Sequence, residues 1–146
     1  GAVLMVYVDT SALVALIVNE PGSAAVAAWY SAIRSELVSA AWCVTEFGSA
    51  LGLKQRAAQL DAAQAQSAWA RFERLVANDL RLLPVETVDF HRAAMLTLDA
   101  PSGIRAGDAL HLACAERAGA KSLVTLDAVM AKNAQRVKLK PVALSL

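Results

Sequence analysis

The sequence predicts an α/β domain whose mostly parallel sheet is covered on both faces by helices. Three observations carry that reading. Short runs rich in β-branched and aromatic residues alternate with longer segments whose apolar residues recur three and four apart. Helix-capping residues and glycines stand at the junctions between them. No internal repeat, low-complexity stretch or linker interrupts the alternation, which is the pattern of a parallel sheet with crossover helices.

Val6-Tyr7-Val8 reads as a short buried strand. Asp9-Thr10-Ser11 supplies cap residues, and Ala12 to Val18 continues as a helix. Pro21-Gly22 punctuates before a helical segment from Ser23 to Ile33. Glu36 to Ala40 is the second strand. Trp42 to Arg56 is helical, with Val44, Phe47 and Leu51 on one stripe. A second long helix runs from Asp61 to Asn78, its stripe formed by Ala65, Trp69, Phe72 and Val76. Leu80 to Val85 is the third strand, and Val88 to Leu98 another helix. Pro101-Ser102-Gly103 is a loop. Gly107-Asp108 opens a helix to about Ala118, which Gly119 stops. Ser122 to Leu126 is the fourth strand, Asp127 to Asn133 a short helix, and Val137-Lys138-Leu139 a candidate fifth strand.

The 146 residues suit one domain, 1–146, large enough to bury a core without disulfides or a structural metal. Hydrophobic residues make up 57%, much of it alanine, yet no apolar run approaches the roughly 20 residues of a spanning helix. A membrane protein is therefore not expected. Gly1-Ala2-Val3-Leu4-Met5 lacks a basic region and a cleavage pattern, so no signal peptide is expected. Gly1 stands where a start codon would place Met, so residues 1–4 are expected to be partly foreign to the native chain. Cys43 and Cys114 lie far apart in apolar surroundings and read as buried thiols of a cytoplasmic protein. They form no zinc spacing.

The acids carry the chemistry. In an open parallel sheet, ligands bind beyond the carboxyl ends of the strands. Asp9 ends the first strand and Asp127 the fourth, while Asp108 opens the helix leading into the fourth. If the first and fourth strands are neighbours, these three carboxylates converge. Glu46 lies one turn into its helix among apolar residues, a fair place from which to face the same site. Each acid also has a modest reading: helix capping for the three aspartates, helix surface for Glu46. Four neighbouring carboxylates need a cation between them, and Mg²⁺ or Mn²⁺ suits an all-oxygen site. The chemistry would be phosphodiester hydrolysis by metal-activated water.

At these residues the sequence resembles the PIN-domain family. Val6 to Leu13 is similar to the family's opening strand and D-x-S. Arg105-Ala106-Gly107-Asp108-Ala109-Leu110-His111-Leu112-Ala113 resembles its third-acid segment, and Leu123 to Asp127 its T-x-D strand end. Trp42-Cys43-Val44-Thr45-Glu46-Phe47 is similar to the helix bearing the second acid. The likeness covers nearly the whole chain and is greatest to VapC-type toxins of bacterial toxin–antitoxin pairs. It implies a three-layer α/β/α fold with a five-stranded sheet ordered 3-2-1-4-5. It further implies Mg²⁺- or Mn²⁺-dependent endonucleolytic cleavage of RNA, a homodimer, and inhibition by an antitoxin whose tail enters the active-site groove. By the same carry-over Asp9, Glu46 and Asp108 are metal ligands and catalytic, and Asp127 is a more variable fourth. Ser11 and Thr125 are polar neighbours that orient ligands or water.

Net charge is only +1, with 14 basic and 13 acidic residues. Setting the four site acids aside leaves nine against 14 bases, and no acid follows Asp127 while Lys132, Arg136, Lys138 and Lys140 do. That run suits a phosphate backbone or simply a solvated tail. Arg105, three residues before Asp108, is the candidate phosphate contact, with a surface ion pair as its other reading. His111 lies one turn after Asp108 and reads as a hydrogen-bonding residue; His91 reads as a surface residue. No nucleophile elbow, Walker loop or dinucleotide fingerprint is present. A receiver domain would pair Asp9 with a second acid, and a haloacid-dehalogenase phosphatase would want an acid where Ser11 stands. The open alternative is a catalytically silent PIN-like module that binds RNA or protein.

Overall fold

Five strands and seven helices alternate along the chain in a computed structural model that describes residues 4–146. The expectation for the opening residues falls, for 1–3, outside that range. The strands are β1 (Met5–Val8), β2 (Glu36–Ala40), β3 (Leu80–Leu83), β4 (Ser122–Val124) and β5 (Lys140–Pro141). They form one sheet in the order β3-β2-β1-β4-β5, and every pairing is parallel. Tyr7 of central β1 stands opposite Val38 on one side and Leu123 on the other.

The helices are α1 (Thr10–Ile17), α2 (Ser23–Ala32), α3 (Trp42–Arg56), α4 (Ala62–Asn78), α5 (Thr87–Leu98), α6 (Ala106–Ala118) and α7 (Ala128–Asn133). Strand side chains alternate between two cores, as the pleat requires. Val6 and Val8 join Leu13, Phe47, Leu51 and Phe72 beneath α1–α4. Tyr7 and Leu123 join Leu96, Leu112 and Met130 beneath α5–α7. The result is the expected three-layer α/β/α arrangement.

Local chemistry sets the helix ends. Asp61 caps α4 and forms a reciprocal capping box with Gln64. Gly119 ends α6 in the left-handed conformation at φ 78°. Phe47 and Phe72 stack with centroids 4.4 Å apart, and Trp69 leans on both, so this aromatic group packs the core between α3 and α4. Cys43 and Cys114 are both buried free thiols.

Several boundaries differ from expectation. Val137-Lys138-Leu139 is not the fifth strand. Ala134–Val137 forms a 3-10 turn closed by Lys138 in the left-handed region at φ 61°, which breaks any extended run there. Pairing begins only at Lys140, on an outer strand where Pro141 is tolerated. The Pro101-Ser102-Gly103 loop contains a single 3-10 turn, Ala100–Ser102. No described helix is long and apolar enough to cross a membrane.

Candidate active site

Sheet order reverses between β1 and β4: β2 and β3 lie on one side of β1, β4 and β5 on the other. Such a switch point opens a crevice at the carboxyl ends of the strands. Asp9 leaves β1 at this place. It is 2% exposed, and its backbone N–H donates to Val124 O at 3.1 Å, tying the end of β1 to the end of β4. Asp9 caps α1: Oδ1 accepts from Ala12 N at 3.0 Å and from Ser11 Oγ at 2.7 Å. Oδ2 accepts from Thr125 Oγ1 at 2.5 Å. Ser11 and Thr125 thus hold Asp9 directly, and each does a second task. Ser11 Oγ accepts from Leu126 N at 3.0 Å, and Thr125 Oγ1 from Asp127 N at 3.0 Å. The two hydroxyls bind the β4 exit to the β1 exit.

Asp127 caps α7, its Oδ1 accepting from Met130 N at 2.9 Å. Asp108 does not cap. It is the third residue of α6, whose cap position is Arg105 without a side-chain bond. Its carboxyl is therefore free of the α6 backbone and half-buried. Glu46 projects from α3, half-buried, and accepts from Thr10 Oγ1 at 2.6 Å. The same oxygen, Oε1, also meets His111 Nε2. His111 is 1% exposed and bonded on both ring nitrogens, as its hydrogen-bonding reading requires.

Electrostatics show that the four acids are neighbours. Burial pushes the Asp108 carboxyl up, and the negative charges of Asp127, Asp9 and Glu46 push it further, to about 6 against the opposing influence of His111. Burial also raises Asp9, though Thr125, Ala12 and Ser11 donate to it and oppose the rise. Burial acts the same way on Glu46, but the hydrogen bond and electrostatic influence of His111, with Thr10 and the nearby Trp42 indole, outweigh it and leave that carboxyl below its ordinary value. Among the described residues, no group of three or more His, Cys, Asp or Glu side chains is arranged, as it stands, to hold a metal ion. Asp127, Asp9 and Glu46 lie within electrostatic reach of Asp108, and together they are an all-oxygen set. Carboxylates of this kind, with Asp108 raised to about 6 by burial first and by its acidic neighbours second, are chemically suited to a hard divalent cation.

A profile of the PIN domain matches residues 6–135. This chain belongs to the PIN-domain family. Solved structures agree in fold. FitAcB from Neisseria gonorrhoeae aligns with TM-score 0.69 at 18% identity, covering 95% of this chain and 97% of the other. VapBC2 from Rickettsia felis, bound to a DNA fragment from their promoter, aligns with TM-score 0.67 at 16% identity over 97% and 100%. VapC20 from Mycobacterium tuberculosis, a sarcin-ricin loop cleaving toxin, aligns with TM-score 0.70 at 14% identity over 87% and 93%. No curated protein matches the sequence.

Beside the acids of this PIN domain runs a groove of about 960 Å³. Thr10, Ser11 and Glu46 are among its lining residues, and Val14, Leu53 and Leu126 make much of its wall apolar. Asp9, Asp108 and Asp127 do not line it. An ion pair between Lys54 and Glu20 lies along it. Arg105 is exposed and makes no ion pair among the described residues. The basic C-terminal run is less free than its sequence implies. Arg136 is bound to Asp99 at 3.3 Å and to Asn133 at 2.9 Å, while Lys132, Lys138 and Lys140 are exposed.

Sequence reasoning missed three contributors. Thr10 holds Glu46, although its place between Asp9 and Ser11 marked it only as a cap residue. Tyr7 reaches His111 from the middle of β1; a buried tyrosine needs a partner for its hydroxyl, and that need was the available signal. Gly107 is the third: a Cβ there would lie 3.1 Å from Trp42 Nε1 and 3.2 Å from Glu46 Oε2. Trp42 stands four residues before Glu46, on the same face of α3.

Proposed function

We propose that this PIN domain is a metal-dependent endoribonuclease and the toxin of a toxin–antitoxin pair. One observation carries the reading: burial, and then the negative charges of Asp127, Asp9 and Glu46, raise the Asp108 carboxyl to about 6. A scaffold gains nothing in stability from gathering like charges. Asp9, Glu46, Asp108 and Asp127 would together hold Mg²⁺ or Mn²⁺. The bound ion supplies the Lewis acidity that activates water and offsets charge on the phosphate.

The chain's own residues orient the reaction. Ser11 and Thr125 keep Asp9 in one rotamer, and the Met130 amide fixes one oxygen of Asp127 and leaves the other for the crevice. Thr10 and His111 fix Glu46 through Oε1, and the Trp42 indole lies beside the same carboxylate. Arg105, exposed at the entrance to α6, would receive a substrate phosphate. The substrate is single-stranded or loop RNA. VapC20's cleavage of the sarcin-ricin loop supports that class. The groove beside Glu46, with its apolar wall, suits a segment of a cognate antitoxin, and a homodimer accords with the family.

The test is cleavage of an RNA pool by the purified chain with Mg²⁺ or Mn²⁺, with EDTA and Asp9→Asn as controls. Cleavage lost in both controls is the expected result. Undiminished cleavage by Asp9→Asn, or in EDTA, overturns the site. A wild-type chain that neither cleaves RNA nor binds Mn²⁺ in calorimetry is instead the silent binding module.

A further inference from the structure

Glu46 is held from behind by a hydrogen-bonded chain that starts in the sheet. We propose that Tyr7 and His111 are a positioning pair that fixes the Glu46 carboxylate for the divalent cation. This rests on the metal-dependent reading above.

The direction of the chain follows from its two ends. Ala40, at the end of β2, donates its N–H to Tyr7 Oη at 3.0 Å. The phenol carries its proton at neutral pH, as a tyrosine ordinarily does. His111 Nδ1 lies 2.6 Å from Tyr7 Oη, and at the other side of the ring the Glu46 carboxylate, which only accepts, requires a hydrogen on Nε2. Nδ1 therefore accepts, and Nε2 carries the imidazole hydrogen. Nε2 donates to Glu46 Oε1, with Thr10 Oγ1 3.2 Å away. The path runs from a backbone amide, through a fully buried phenol and a 1% exposed imidazole, to one named carboxylate oxygen. The two rings meet edge-on, centroids 5.6 Å apart and planes at 73°.

The anchor lies on central β1, hydrogen-bonded on both sides, which makes it a stiff support for a residue on α3. Packing alone does not account for the polar atoms. Phenylalanine at position 7 and leucine at 111 would fill the same space in a core otherwise built from Val38, Leu112 and Leu123. What the polar atoms add is orientation. They commit Oε1 and turn Oε2 toward the side of α6 where Gly107 leaves room.

Calorimetric titration of the metal-free chain with Mn²⁺ tests this, with a thermal melt of each variant. His111→Leu is expected to weaken Mn²⁺ binding by about 10–100-fold, the usual effect of removing a partner that orients a ligand. His111→Gln, whose amide nitrogen can replace Nε2, is expected to recover part of that loss. Tyr7→Phe is expected to weaken binding several-fold while still melting cooperatively, and His91→Leu, on the surface, to change nothing. Wild-type affinity in folded His111→Leu overturns the proposal. If that variant does not fold, unchanged affinity in folded Tyr7→Phe overturns it instead. A wild-type chain that binds no Mn²⁺ overturns the metal-dependent reading, and the positioning role with it. Equal binding by wild type and variants removes only the positioning role.

Discussion

Replacing Asp108 with asparagine should make the metal-free protein more stable while destroying the site. The Asp108 carboxyl sits at about 6 against an ordinary 3.8, so the folded state disfavours its charge. At about 1.4 kcal/mol per pH unit, that gap corresponds to about 3 kcal/mol. Asp108 is only half-buried, and solvent screening reduces the usable part to about 1–2 kcal/mol. Because the folded value lies above the unfolded one, wild type binds more protons folded than unfolded between the two. Its stability therefore falls as pH rises from about 4 to about 6 and is level above that. Asparagine carries no such penalty. In EDTA at about pH 7.5, Asp108→Asn should melt roughly 2–8 °C above wild type. By about pH 4.5 the advantage should shrink to less than about half of that. RNA cleavage should be lost at every pH. Scanning calorimetry across this range decides the matter. A variant less stable than wild type near pH 7.5, or an advantage independent of pH, would refute the claim that like charge and burial strain this carboxyl.

Two other substitutions separate site from scaffold. Gly107→Ala introduces a Cβ 3.1 Å from the rigid Trp42 indole and 3.2 Å from Glu46 Oε2. Alanine favours the helix by about 1 kcal/mol, so the fold should survive while cleavage falls about tenfold; full cleavage by Gly107→Ala would show that Glu46 has slack. Asp61→Ala removes the α4 capping box and should cost about 1 kcal/mol, read as a melt lower by about 2–4 °C. Its cleavage rate should equal wild type, and a lower rate would mean that α4 is coupled to the site.

Much of this protein is legible in local sequence because its elements are set by local chemistry. The α3 boundaries, Trp42 to Arg56, follow from apolar spacing, and α6 ends where Gly119 must adopt a left-handed φ. Asp9 could be placed directly after β1 and Asp127 shortly after β4 because each is a capping residue that follows an apolar strand run. Fold class and the candidate acids followed from those positions, and strand order from the family likeness. Other features were decided only by tertiary structure. Lys138 takes a left-handed φ because Lys138 N–H closes the turn on Ala134 and Gln135, and this moved β5 beyond the expected run. Asp108 stands inside α6 rather than capping it, and the charges that lift its carboxyl come from residues far away in the chain. Tyr7 and His111 are separated by 104 positions, and nothing local to either names the other. Periodicity and capping act over a few residues and can be read along the chain. Charge repulsion and hydrogen-bond direction depend on distances between side chains, which exist only once the sheet has brought β1, β2 and β4 side by side.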